Sequence, residues 1–361
     1  MAVYRIFPEK DTFIHTSNVN GNSGRDEILE ISNTGKGVSR VLMKFSDEEI
    51  ANVISLTGEE TYQANIKAYL AYASSLPVDY TLNAYPVVLE GVAEWTNGTG
   101  KKVDLGLTTG TSWKYIDTGV SEWITVAPSG ADSHYEAAKE GGGTWTEDVS
   151  TSASQTHLTS STHDLDINVT TAINNFHNST IDNKGFVIKL EDSKEFDNSN
   201  VIELKYFSGD TNTIYPPFLE IKWDDSTYDL GTLTEIATSL NVVRVKNNKG
   251  EYPDLGKQRF RLTVRPTYPE RTFETTSTYS KNYALPEEST WGLRDENTEE
   301  MVVPFDAAFT KISCDSKGSY FDVYMEGLQP ERYYRILIKS EIDGSTTVLN
   351  NANIFKVVRN G

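Results

Sequence analysis

Ser39-Arg40-Val41-Leu42-Met43-Lys44-Phe45 is a short run dominated by apolar and branched side chains, with Gly37 before it and Ser46 after it, and it reads as a β-strand. Ser46 and Glu49 then stand at capping-box spacing, with Ile50, Val53 and Ile54 on one face, so a short amphipathic helix is predicted over Ser46–Ser55. Outward from this pair the same grammar repeats. Further strands are predicted at Val3–Phe7, Thr12–His15, Glu27–Ser32, Asn65–Ala73, Tyr80–Val87, Gly185–Leu190, Val201–Phe207 and Pro217–Trp223, separated by Gly, Asn, Ser and Pro. Helical periodicity is scarce, and 6 Trp, 19 Tyr and 14 Phe enrich the chain in residues that suit pleated surfaces. The predicted fold class is all-β, with a few short helices. A second helix follows Asp166, read as its cap, with Val169, Ala172, Ile173 and Phe176 as the apolar stripe. A third, marked by Ser133 and Glu136, would end at Gly141-Gly142-Gly143.

The 361 residues suffice for two domains. A natural hinge lies where the apolar strand stops at Trp223-Asp224-Asp225-Ser226. Residues 1–223 hold 16 basic and 31 acidic side chains, for −15, against 17 and 21, for −4, in residues 224–361. The second part reads as strands at Ser239–Lys246, Gln258–Arg265, Tyr320–Met325, Tyr333–Ser340 and Thr346–Val358, with Asp343-Gly344 turning the last pair. Residues 91–164 form a Thr-, Ser- and Gly-rich insert that holds four of the six tryptophans.

Charge narrows the function classes. With 33 Lys and Arg against 52 Asp and Glu, the net −19 repels polyanions, so nucleic acid is not an expected partner. Cys314, alone, supports neither an internal disulfide nor a Cys-based zinc cage, and reads as a buried free thiol. The opening residues lack the apolar core of a signal peptide, and no apolar run reaches membrane-spanning length, so neither export nor a membrane is expected. The five histidines, His15, His134, His157, His163 and His177, show no helical ligand pair, and neither a nucleophile elbow nor a phosphate loop occurs. No enzyme activity and no cofactor are expected. Asp164, Asp166 and Asn168 alternate oxygen ligands without the Gly and Glu of a calcium loop, and a structural cation at the Asn20–Asp26 turn has no further support.

Two groups of residues are candidate binding elements. Trp95, Trp113, Trp123 and Trp145 would stack on the C–H faces of sugars if exposed together, or pack as the miniature core of their own loops. Residues 242–271 carry eight basic residues against three acidic, +5 within an acidic protein. Strand alternation puts Lys257, Arg259, Arg261 and Arg265 on one face and Phe260, Leu262 and Val264 on the other, with Arg244 and Lys246 extending the stripe on a paired strand. Such a stripe would dock an acidic patch, or simply protect a sheet edge from aggregation.

The order Asp11-Thr12-Phe13-Ile14, Asn20-Gly21-Asn22-Ser23-Gly24, Glu27–Ile31, Ser39–Phe45, Ala68–Tyr72, the Asp166 helix and Phe207-Ser208 before Tyr215-Pro216-Pro217-Phe218-Leu219-Glu220-Ile221 resembles the DNRLRE-type jelly-roll sandwich, often classed with carbohydrate-binding modules. The likeness spans residues 1–223 and departs within 91–164. Residues 224–361 resemble fibronectin- or immunoglobulin-like sandwiches through Leu328-x-Pro330 and Tyr334, a tyrosine placed to form a corner bond to nearby backbone. The whole layout, with the tail Gly327-Leu328-Gln329-Pro330-Glu331-Arg332-Tyr333-Tyr334, is similar to structural proteins of tailed-bacteriophage virions. That resemblance implies a non-enzymatic part of the tail, baseplate, neck or capsid exterior, made in the host cytoplasm and present in several copies beside other virion structural proteins. The alternative is a carbohydrate-binding protein that recognises host-surface glycans.

Overall fold

The computed structural model describes the chain apart from residues 1, 35–36, 59, 75, 90–93, 105–108, 118–120, 124–140, 147, 149–150, 198, 247, 269–281 and 360–361. It divides into two compact units. Residues 6–56 and 63–220 form the N-terminal unit, and residues 1–5, 57–62 and 221–361 form the C-terminal unit. Both are built from β-sheets with few, short helices. The predicted helix at Ser133 lies outside the described residues.

In chain order the first strands are β1 (Ala2–Ile6), β2 (Lys10–His15), β3 (Ile28–Asn33), β4 (Val38–Lys44), β5 (Tyr62–Ala68), β6 (Leu70–Ala73) and β7 (Tyr80–Pro86). After them come β8 (Tyr115–Asp117), β9 (Ser121–Glu122), β10 (Ala153–His157), β11 (Leu165–Asn168), β12 (Phe186–Leu190), β13 (Ile202–Phe207) and β14 (Phe218–Trp223). An eight-stranded sheet runs β10-β7-β12-β4-β3-β13-β6, with β2 also on β4, and a four-stranded sheet runs β1-β14-β5-β11. β4 contains Ser39–Lys44 of the predicted Ser39–Phe45 strand. It is buried along its whole length, because Val41 and Met43 fill one side of the sheet while Arg40 and Leu42 face the tryptophan-rich loops on the other.

Helix α1 (Asp47–Thr57) starts as the capping box requires, with the Glu49 amide donating to Ser46 Oγ at 3.4 Å and with Ile50 and Val53 buried. Helix α2 (Thr170–His177) buries Ala172, Ile173 and Phe176, as its stripe predicts. Its start differs from the prediction. Asp166 is a residue of β11, paired with Lys67 of β5 and accepting from Asn65 Nδ2 at 2.6 Å, so it caps nothing. The side chain next to the helix is Asn168, which accepts from the Thr170 amide at 3.0 Å. A third helix, α3 (Asp192–Glu195), follows β12.

The C-terminal unit adds β15 (Thr234–Glu235), β16 (Asn241–Lys246), β17 (Glu251–Pro253), β18 (Lys257–Pro266), β19 (Tyr283–Ala284) and β20 (Thr290–Asp295). It closes with β21 (Met301–Val303), β22 (Ser313–Asp315), β23 (Gly318–Tyr324), β24 (Tyr333–Ile342) and β25 (Ser345–Val358). One sheet runs β15-β19-β18-β23-β22 with β16 on β18, and the other runs β17-β25-β24-β20-β21. Phe260 and Phe321 from the first sheet meet Phe355 and Tyr334 from the second in one buried cluster. The Asp343-Gly344 turn between β24 and β25 has positive φ at both residues, 53° and 67°, the two-residue geometry that matches strand twist. Tyr334 lies buried, and its hydroxyl donates to the Gln329 carbonyl at 2.9 Å, which is the corner bond expected from its spacing after Leu328.

Candidate interaction surfaces

The four tryptophans of the insert are interior side chains. Trp95, Trp113, Trp123 and Trp145 are each at most 2% exposed and share a cluster with Ile14, Leu42 and Val187 of the large sheet. A ring that stacks on a sugar needs an open face, so these four do not form a glycan platform, and the expectation of stacking is corrected to packing. Their polar edges are satisfied locally: Trp95 Nε1 donates to the Lys184 carbonyl at 2.7 Å, and Trp123 Nε1 to the Ser112 carbonyl at 2.9 Å.

What Trp113 and Trp145 do hold is a cation. The Arg40 guanidinium lies 4.8 Å from each ring centroid, and Lys189 Nζ lies 5.4 Å from Trp145. Glu195 of α3 takes both Arg40 Nε and Nη2, at 2.6 and 2.8 Å, and stands 3.0 Å from Lys189 Nζ. The remaining Arg40 nitrogen, Nη1, donates to the Gly142 carbonyl at 2.7 Å. This contact explains the glycine run. At Gly142, with φ +97°, an added Cβ would sit 2.4 Å from Arg40 Nη1, and at Gly141 it would sit 1.9 Å from the Trp113 carbonyl oxygen. The local sequence pattern marks Gly141-Gly142-Gly143 as a helix end and does not show this contact.

The cationic strand is placed as strand alternation requires. Phe260, Leu262 and Val264 are buried, whereas Lys257, Arg259 and Arg265 are exposed and Arg261 is half-buried. β16 pairs with β18 so that Lys246 lies opposite Arg261 and Arg244 opposite Thr263, on the same face. Three members of the stripe are bound within the unit. Arg259 makes a two-pronged bond to Asp322, at 2.8 and 2.9 Å, and Arg261 does the same to Asp315, at 2.9 and 2.7 Å. The Tyr320 ring lies between them, 4.0 Å from the Arg259 guanidinium and 5.1 Å from that of Arg261. Lys257 Nζ adds a third contact at 3.3 Å from Asp322.

The electrostatics agree with this geometry. The bidentate bond from Arg261 holds the Asp315 carboxyl down at about 2. Burial pushes Asp322 upward, but the bonds and charges of Arg259 and Lys257 outweigh it and leave the carboxyl below its ordinary value. Arg244, Lys246 and Arg265 make no ion pair among the described residues, and Arg244 and Lys246 are spaced for one outward face. Arg271 lies outside the described residues.

Burial pushes Asp11 up to about 6, against the lowering bond from the Gly209 amide, and Asp210 pushes it further up. Burial lowers His15 to about 4, assisted by the Lys102 charge and opposed by Glu30. Cys314 is a buried free thiol raised to about 11 by burial and by the nearby Asp315 and Asp229 charges. Tyr80 packs against both His157 and His163, with ring centroids at 5.0 and 5.8 Å, and the two imidazoles are 5.8 Å from each other. Among the described residues no three His, Cys, Asp or Glu side chains are grouped to hold a metal ion, and no helix is long and apolar enough to cross a membrane. Asn22, at the centre of the Asn20–Asp26 turn, bonds with its amide to the Asn97 and Thr111 carbonyls and to the Gly24 and Gly100 amides. No family model matches the chain, and no curated protein matches it.

Proposed function

We propose that this chain is a non-enzymatic structural component of a tailed-phage virion, acting as an adaptor or docking module in the tail, baseplate, neck or capsid exterior. The observation that carries the reading is the outward cationic face of β16 and β18 on a chain of net charge −19. A docking part works through broad, preset surfaces whose complementary charges fix partner and register. Two further features support it. The described parts of the insert in the N-terminal unit are packed around their own tryptophans, which suits a rigid surface, and the Arg259 and Arg261 guanidiniums lie against the Tyr320 ring, which holds the face of the C-terminal unit in one arrangement. In a symmetric particle, modest contacts of this kind add through high effective concentration. The virion assignment itself rests on the layout of the sequence described above.

The test is to purify phage particles from cells infected by a phage that encodes this chain, and to measure its copy number by quantitative mass spectrometry with antibody labelling in electron micrographs. A fixed stoichiometry at one place on the particle supports the reading, and absence from washed particles overturns it. The carbohydrate-binding alternative loses its four tryptophans. Tyr72, about half exposed on β6, is a ring that remains outside, and Lys205 Nζ stands 5.2 Å from its centroid.

A further inference from the structure

We propose that the outer face formed by β16 and the distal half of β18 binds the acidic N-terminal unit of a second copy of this chain. The inference rests on the docking reading and names its partner. Register fixes the site: Arg244 opposite Thr263, Lys246 opposite Arg261 and Val242 opposite Arg265 put Arg244, Lys246 and Arg265 on one surface. Asp322 and Asp315 already occupy Arg259 and Arg261, whereas Arg244 and Lys246 of β16 and Arg265 of β18 make no ion pair among the described residues and are placed to meet an external carboxylate. At the end of the hairpin the Thr267 amide donates to the Leu240 carbonyl at 2.8 Å. Leu240, 61% exposed, stands two residues before Val242, the residue opposite Arg265, and so adjoins Arg265 on the same face. An exposed Arg beside a large aliphatic group has the chemistry of an interface contact with a charged rim.

The chain supplies the complement itself. Residues 6–56 and 63–220 hold 14 basic and 29 acidic side chains, for −15, so each copy brings one acid-rich unit for every cationic face. Contact between two different surfaces of identical chains is heterologous, and it propagates into a ring or a filament. Two copies of net −19 repel at long range, but at about 0.15 M salt charges beyond roughly 8 Å are screened while those at the contact are not. A polyanionic partner such as DNA lacks this short-range balance against the surrounding acidic surface.

The full chain is tested by sedimentation velocity over a range of concentrations, at physiological and at high salt. The wild type is expected to associate at physiological salt and to dissociate at high salt. The triple variant Arg244→Glu, Lys246→Glu, Arg265→Glu is expected to weaken association about tenfold or more, with an unchanged melting temperature. The milder Arg244→Gln, Lys246→Gln, Arg265→Gln variant keeps the test open should the reversal misfold, and is expected to fall between the two. A wild type that stays monomeric at every concentration overturns the proposal, as does a triple variant that associates like the wild type or a face that takes up duplex DNA in place of protein. A chain monomeric in solution yet present in washed particles would sink this partner alone and leave the virion reading standing.

Discussion

Arg40 and Glu195 form a two-pronged ion pair at 2.6 and 2.8 Å with each side chain only 1% exposed, joining the central strand of the large sheet to α3. Taking both charges out of water is costly, and the pair is held because Trp113, Trp145, Lys189 and the Gly142 carbonyl surround the guanidinium and the carboxylate. Removing one partner leaves the other charge buried and uncompensated. Glu195→Ala is expected to cost about 3–5 kcal/mol in urea unfolding of the full chain. A loss below about 1 kcal/mol would mean that the pair is not held as described.

Arg259 and Arg261 differ in kind from Arg244 and Lys246, although strand alternation treats all four alike. Arg259→Ala strips a mostly buried Asp322 of its bidentate partner, so a loss of about 1–3 kcal/mol is expected, whereas Arg244→Ala is expected to stay within about 0.5 kcal/mol of wild type. Thermal melts of the two single variants check the contrast. Equal melting temperatures would remove the distinction between fixed and free cations.

Asp11 and His15 make opposing contributions to the pH dependence of stability. Asp11 has its pKa raised from 3.8 to about 6 in the fold, so the native state binds the extra proton, and stability falls as pH rises between these values. Asp11→Asn is therefore expected to stabilise the chain at neutral pH, on the order of 3 kcal/mol at most, with the benefit disappearing on acidification below 3.8. His15 is lowered from 6.5 to about 4, so the unfolded chain binds the extra proton, and stability falls as pH drops through that window. Denaturation curves against pH for wild type and Asp11→Asn, with an NMR titration of His15, measure both. A His15 midpoint near 6.5 would contradict its burial.

The corner bond from Tyr334 to the Gln329 carbonyl is a single neutral hydrogen bond beneath a well-packed ring. Tyr334→Phe is expected to cost about 0.5–1.5 kcal/mol, with the fold intact by circular dichroism. No change in the unfolding midpoint would show the bond to be exchanged for water without loss.

Most strands were legible because short branched runs stop at Gly, Asn and Asp, and the Asp343-Gly344 hairpin and the Tyr334 corner are local patterns. Asp166 misled because its carboxylate suits a cap, yet the burial of Leu165 and Ile167 on either side marks a strand, a period of two within four residues. The burial of the tryptophans was not local information. A signal did exist: Arg40 stands inside an apolar strand, and a cation there needs a carboxylate and close backbone, which Glu195 and the glycine run provide from 155 and 102 residues away. The pairing of Arg259 with Asp322 and of Arg261 with Asp315 likewise joins residues 63 and 54 apart, so the stripe looked wholly free in the sequence.

The proposed docking runs through the β16 margin. It is tested by competitive incorporation: phage particles assembled with equal amounts of wild type and the Arg244→Glu, Lys246→Glu, Arg265→Glu variant, with the ratio of the two read by mass spectrometry. Depletion of the variant by several-fold, with both proteins equally folded and abundant in the cell, is the expected result. Incorporation in the supplied ratio would rule out docking through this margin.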